Sequence, residues 1–138
     1  MTPLKVYEMD HIVLNVSDID RSLKFYMEVL GLTGERIEEF KAGKVGFPSV
    51  RINQDTLIDL SRKESPAARS SASDKTETNL NHFCLVAETV DLPKVIEYLK
   101  AQGVQVRTGP VSRWGARGRA TSVYILDPDG NEIEIRCY

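Results

Sequence analysis

Between Tyr7 and Val16 the chain alternates, with His11, Val13 and Asn15 on one parity and Ile12, Leu14 and Val16 on the other. A period of two with β-branched residues predicts a strand that has one strongly apolar face. Ser17-Asp18-Ile19-Asp20 then has the Ser-x-x-acid form of a capping box, with Asp in place of Glu, and so opens a helix. Leu23, Tyr26, Met27 and Leu30 follow at helical spacing, and Gly31 suits the C-terminal cap. Three strand-like runs come next, Glu35–Phe40, Val45–Ile52 and Thr56–Ser61. The first half therefore reads β-α-β-β-β.

The second half repeats this order. In Asn81–Ala87, His82, Cys84 and Val86 alternate with Phe83, Leu85 and Ala87. Asp91 can cap a helix carrying Leu92, Val95, Ile96 and Leu99, which Gly103 closes. Val104–Thr108, Ala120–Leu126 and Glu132–Tyr138 read as strands, and the tight turn Asp127-Pro128-Asp129-Gly130 joins the last two. His82 stands 71 positions after His11, and Gly103 stands 72 after Gly31. A repeat of this kind constrains the whole architecture. One domain over 1–138 is expected, with module one at 5–62 and module two at 79–138. Residues 63–78, rich in Ser, Ala, Lys and Glu and without apolar periodicity, read as a linker.

Side chains of one parity share a face of a strand. In four strands one parity is apolar and the other carries a potential metal ligand. His11 opposes Ile12 and Leu14, Asp59 opposes Ile58 and Leu60, His82 opposes Phe83 and Leu85, and Glu134 opposes Ile133 and Ile135. Taken singly, a strand histidine is more often a hydrogen-bonded residue, and a strand carboxylate more often part of a solvated face. Both histidines of the chain, however, occupy equivalent places in the two copies. Two carboxylates about 4 Å apart repel by roughly 4 kcal/mol at an effective dielectric of 20, and a divalent cation would reverse the sign. Imidazole and carboxylate together suit Fe, Mn, Co, Ni or Zn better than Ca or Mg.

Asp10-His11-Ile12-Val13-Leu14, Phe25-Tyr26 with Leu30-Gly31-Leu32, Asn81-His82-Phe83 and the run from Asp127 to Glu134 resemble the signature of the vicinal oxygen chelate (VOC) superfamily. The resemblance covers nearly the whole chain, and the final hairpin is its most specific part. It implies an α+β, glyoxalase-like fold, with two βαβββ modules forming a curled mixed-sheet cup and the helices outside. It further implies one divalent metal ion held by His11, Asp59, His82 and Glu134, and a homodimer. Asp59 is the weak member of that set, because the family varies there (Glu, Gln or no ligand) and a one-residue register shift would put Leu60 in its place.

Composition narrows the picture only at its edges. A net charge of −2, with Lys and Arg scattered, gives no nucleic-acid footprint. No apolar run reaches membrane-spanning length, and MTPLKVYEMD lacks the apolar core of a signal peptide. Two cysteines, Cys84 and Cys137, are too few for a disulfide framework, so a reducing cytoplasm is expected. Cys84 reads as a small inward wall residue.

For substrate contact, the run from Ser112 to Arg119 reads as an Arg-rich hairpin loop. Arg113 and Arg117 there would clamp an anion, or else the loop is a solvated β-turn. Tyr124 and Arg136 share the inward parity of their strands. The leading expectation is glyoxalase- or isomerase-like proton transfer on a small oxygen-bearing substrate, with Glu134 or Asp59 as the carboxylate base. One alternative is a non-haem Fe(II) dioxygenase, disfavoured because both histidines are already used as ligands. A second is a metal-free small-molecule binding or resistance protein.

Overall fold

The computed structural model describes residues 8–62, 80–88 and 91–138. The expected linker at 63–78 lies outside the described residues. The chain divides into two compact units, Met1–Ala68 and Arg69–Tyr138, each built on a four-stranded mixed sheet. This is the glyoxalase-like α+β architecture, with strand–helix–three-strand order in both units, interrupted in the first by a short second helix after its second strand.

In the first unit β1 (His11–Val16) leads into α1 (Ile19–Lys24), which continues as a π-helical turn over Phe25–Val29. Asp18, not Ser17, caps α1, its carboxylate accepting from the Arg21 N–H at 3.0 Å. A carboxylate carries full charge at the positive end of the helix, and a hydroxyl does not. Gly31 takes φ +77° just after the helical segment. The short β2 (Thr33–Glu35) is followed by α2 (Ile37–Lys41), then by β3 (Ser49–Asn53) and β4 (Thr56–Arg62).

The strand expected over Glu35–Phe40 is thus mostly a helical turn. Ile37 and Phe40 lie three residues apart, which puts them on one helical face but on opposite faces of a strand. The strand expected from Val45 starts only at Ser49, after Gly46 and Pro48 have broken the ladder. The sheet order is β1-β4-β3-β2, with β1 parallel to β4. Leu14, Val16, Tyr26, Val50, Ile58 and Leu60 form the core of this unit, while His11, Val13 and Asn15 stand on the exposed parity of β1.

In the second unit β5 (Phe83–Val86) precedes α3 (Leu92–Ala101), which Asp91 caps by accepting from the Lys94 N–H at 3.1 Å. Three strands follow, β6 (Val106–Gly115), β7 (Gly118–Leu126) and β8 (Glu132–Cys137), in the order β5-β8-β7-β6. The arginine-rich segment expected to be a loop is almost all strand. Arg113 pairs with Ala120 and Gly115 with Gly118, leaving Ala116 and Arg117 as a two-residue turn. Neither Ala116 nor Arg117 has a positive φ; the positive value, +97°, falls on Gly118 just after them. At the next hairpin the buried Asp127 carboxylate accepts from the N–H groups of Asp129 (2.9 Å) and Asn131 (2.8 Å). That turn sets the register of β8 against β7, pairing Tyr124 with Glu134.

Candidate metal half-sites

Parallel pairing of β1 with β4 sets Val13 opposite Asp59 and Leu14 opposite Leu60. Asp59 therefore shares the face of His11, and Leu60 shares the core face of Leu14. Asp59 is buried at 7% exposure, with Oδ2 3.8 Å from His11 Nε2. Its other oxygen, Oδ1, accepts from the Ser49 hydroxyl at 2.6 Å. Behind the imidazole, Asp10 Oδ1 lies 2.5 Å from His11 Nδ1. A proton on Nδ1 facing a carboxylate leaves the Nε2 lone pair free, which is the tautomer a metal ligand requires. The hydrogen bond that His11 donates to Asp10, and after it the charge of Asp59, raise the His11 pKa above the ordinary value of 6.5.

The second unit repeats the arrangement. His82 Nε2 lies 3.2 Å from Glu134 Oε2, and His82 Nδ1 lies 2.7 Å from Asn81 Oδ1. Glu134 is buried at 5% exposure, and its Oε1 accepts from the Ser122 hydroxyl at 2.6 Å. Here a cation is added. Arg136 Nη1 donates to Glu134 Oε1 at 3.1 Å. The same guanidinium donates to the carbonyls of Arg113 (2.6 Å), Trp114 (3.3 Å) and Gly118 (3.2 Å). A Cβ on Gly115 would come within 2.5 Å of that guanidinium, which would have to shift to admit it. Arg136 Nε is buried without a hydrogen-bond partner among the described residues.

Among the four residues expected to touch substrate, Tyr124 and Arg113 lie beside the His82 pair. The Tyr124 ring meets the His82 ring edge-on at 5.5 Å, and the Arg113 guanidinium lies 5.9 Å from the Tyr124 centroid. Arg117 instead stacks on Tyr138 at 4.4 Å, and its backbone N–H donates to the Tyr138 hydroxyl. Arg136 is buried in the network around Glu134 and also faces Tyr138, at 4.9 Å. Cys84 pairs with Glu134 across β5 and β8 and is exposed. Partial desolvation, and then the Glu134 charge, push its thiol pKa up.

Four contributors were not singled out in the sequence: Asp10, Asn81, Ser49 and Ser122. Asp10 and Asn81 directly precede the two histidines, so the repeat itself marks them. The serines stand 73 positions apart, within the same repeat, but serine is too common in strands for that to signal anything alone.

The structure thus brings His11 to Asp59 and His82 to Glu134, one pair in each unit. No group of three or more His, Cys, Asp or Glu able to hold a metal occurs among the described residues. The donor chemistry of each pair nonetheless fits a divalent transition metal. Each histidine has its Nδ1 occupied and its Nε2 turned toward a carboxylate oxygen that the serine does not use.

A sequence model of the Glyoxalase/Bleomycin resistance protein/Dioxygenase superfamily matches residues 8–135. The virulence protein STM3117 of Salmonella typhimurium is 35% identical over 94% of this chain and 83% of its own length. A solved protein from the mobile metagenome of V. Pseudocholerae superposes with a TM-score of 0.76 at 32% identity, covering 99% of this chain and 98% of that one. More distantly, the lactoylglutathione lyase GLX1 of Arabidopsis thaliana is 26% identical over 91% of this chain, which spans 42% of that enzyme.

Proposed function

The chain belongs to the glyoxalase/bleomycin resistance protein/dioxygenase superfamily, and we propose that it is a divalent-metal-dependent enzyme moving a proton on a small, oxygen-bearing substrate. The observation that carries this reading is the repeated pair: a histidine with Nδ1 anchored and Nε2 facing a buried carboxylate, once in each unit. His11, Asp59, His82 and Glu134 would hold one Fe, Mn, Ni, Co or Zn ion. Bound there, the cation supplies Lewis-acid polarisation of a substrate oxygen.

The two carboxylates differ in a way that divides the labour. Arg136 offsets the charge of Glu134 and fixes its orientation, which suits a permanent anionic ligand. Among the described residues Asp59 has only the Ser49 hydroxyl on its far oxygen, and no guanidinium, so its Oδ2, whenever it is not donating to the cation, is the better placed to take and return a proton. Arg113 meets no carboxylate among the described residues and lies beside Tyr124, so it is available to an anionic group of the substrate. A set of two imidazoles and two carboxylates favours proton transfer over the two-histidine, one-carboxylate pattern of oxygen-activating iron. The lactoylglutathione lyases among the relatives support the same reaction class. A homodimer in the cytoplasm completes the reading, checked by light scattering and by cell fractionation.

Elemental analysis of the purified protein tests it. About one transition-metal ion per chain is expected, with most of it lost in either His11→Ala or His82→Ala. Two ions per chain, or full occupancy in the double histidine variant, would sink the shared site. No metal in the wild type would favour a binding protein instead. Asp59→Asn should keep part of the metal and slow turnover on the order of 10²–10⁴-fold, as loss of a general base does. Unchanged turnover would make Asp59 a bystander.

A further inference from the structure

Ser49 and Ser122 are both fully buried, and both donate their hydroxyl proton to a half-site carboxylate at 2.6 Å. That distance belongs to a charge-assisted O–H···O⁻ bond. The oxygens are divided the same way in the two units. The oxygen that accepts from serine, Oδ1 of Asp59 or Oε1 of Glu134, is not the one that faces histidine.

Different strand registers arrive at this common division. Ser49 sits directly opposite Asp59 on the neighbouring strand. Ser122 sits opposite Arg136, two residues beyond Glu134, whose direct neighbour is Tyr124. Directly opposed Cβ atoms lie about 4.5–5.5 Å apart, and diagonal neighbours are farther, up to roughly 7–8 Å. Aspartate, with one methylene, spans the short distance. Glutamate, with two, spans the long one. Acid length and serine position are thus matched in each unit, although the two units differ in both. Filling space alone would not require that match.

We propose that Ser49 and Ser122 are positioning residues that restrict each carboxylate to a single donor oxygen, Oδ2 of Asp59 and Oε2 of Glu134. By occupying the other oxygen, Ser122 jointly with Arg136, they leave more of a cation's coordination shell to the substrate. The assignment rests on the metal reading given above and adds to it how each acid is presented.

Cobalt(II) binding to the full chain tests it, because visible d–d absorption reports coordination and chelator competition reports affinity. Ser49→Ala and Ser122→Ala should each bind cobalt about 10–100-fold more weakly, the usual cost of losing a ligand's outer partner. The Ser49→Ala spectrum should shift as the freed oxygen joins the cation, whereas Oε1 of Glu134 keeps its Arg136 partner, so Ser122→Ala should shift fully only together with Arg136→Met; Ser→Thr, which restores a hydroxyl, should return the spectrum. Asp59→Glu provides a second route that spares the serine. The longer acid no longer matches its directly opposed Ser49, so its spectrum should shift as that of Ser49→Ala does, and adding Ser49→Ala should change it no further. Far-UV circular dichroism of the metal-free proteins establishes that each variant is folded. Folded alanine variants with wild-type affinity and spectrum would overturn the assignment while leaving the metal reading intact. A wild type that takes up no cobalt would end both.

Discussion

Replacing Arg136 with methionine isolates the interaction that holds Glu134. The guanidinium is 3% exposed and touches Glu134 Oε1 at 3.1 Å together with three backbone carbonyls. Methionine keeps much of the volume and removes the charge and every donor. The carbonyls belong to Arg113, Trp114 and Gly118, of which the first two are exposed and the third half-buried. These carbonyls are neutral, so losing the guanidinium costs less there than at an ionised carboxylate. Glu134 is different, because it is 5% exposed and among the described residues keeps only the Ser122 hydroxyl and the neighbouring His82.

Removing one partner of a buried pair costs about 3–5 kcal/mol, mostly from the charge left behind. The remaining serine and histidine set the expectation near the lower end, about 3 kcal/mol. In Glu134→Gln the situation is mirrored, with Arg136 left as the unpaired ion. The double variant should then lose less than the sum of the singles, by on the order of 1–3 kcal/mol. Urea unfolding of the metal-free proteins at pH 7, compared at constant m value, measures all three. An Arg136→Met loss below about 1 kcal/mol, or strict additivity in the double variant, would show that the pair does not hold Glu134.

Two further outcomes follow from the same geometry. NMR titration of His11 should give a midpoint above 6.5, and Asp10→Asn should bring it down, because the largest cause of the shift is the bond to Asp10. A folded pKa raised above the unfolded one stabilises the fold below the unfolded value, and that contribution disappears as pH rises through the raised value. A midpoint indifferent to Asp10 would contradict the assignment. At Cys84, alkylation followed by mass spectrometry near pH 8 should run slower than at a free thiol, since partial burial and Glu134 both disfavour the thiolate. Glu134→Gln should speed it and Arg136→Met slow it further; the opposite order would refute the electrostatic account.

Much of the architecture was legible in the linear pattern. Alternation in β1, β4, β5 and β8 marked which residues face the core, and the spacing of 71 between the histidines marked the duplication. These signals are local, because strand periodicity and helix caps depend on near neighbours. The sequence also placed His11, Asp59, His82 and Glu134 on the polar parity of their strands.

Tertiary pairing decided the rest. Whether Asp59 or Leu60 shares the face of His11 depends on the register of β1 against β4, and a slip of one residue exchanges them. Arg113 and Arg117 look alike in sequence, yet one lies beside Tyr124 and the other on Tyr138, because cross-strand pairing extends β6 to Gly115 and narrows the turn. Arg136 has the parity of a substrate contact, and only the packed hairpin shows its guanidinium closed in by carbonyls and Glu134. The serines were invisible for the same physical reason. A hydroxyl acquires its role from the acid that a neighbouring strand brings opposite or diagonal to it, and that distance is written in no single segment of the chain.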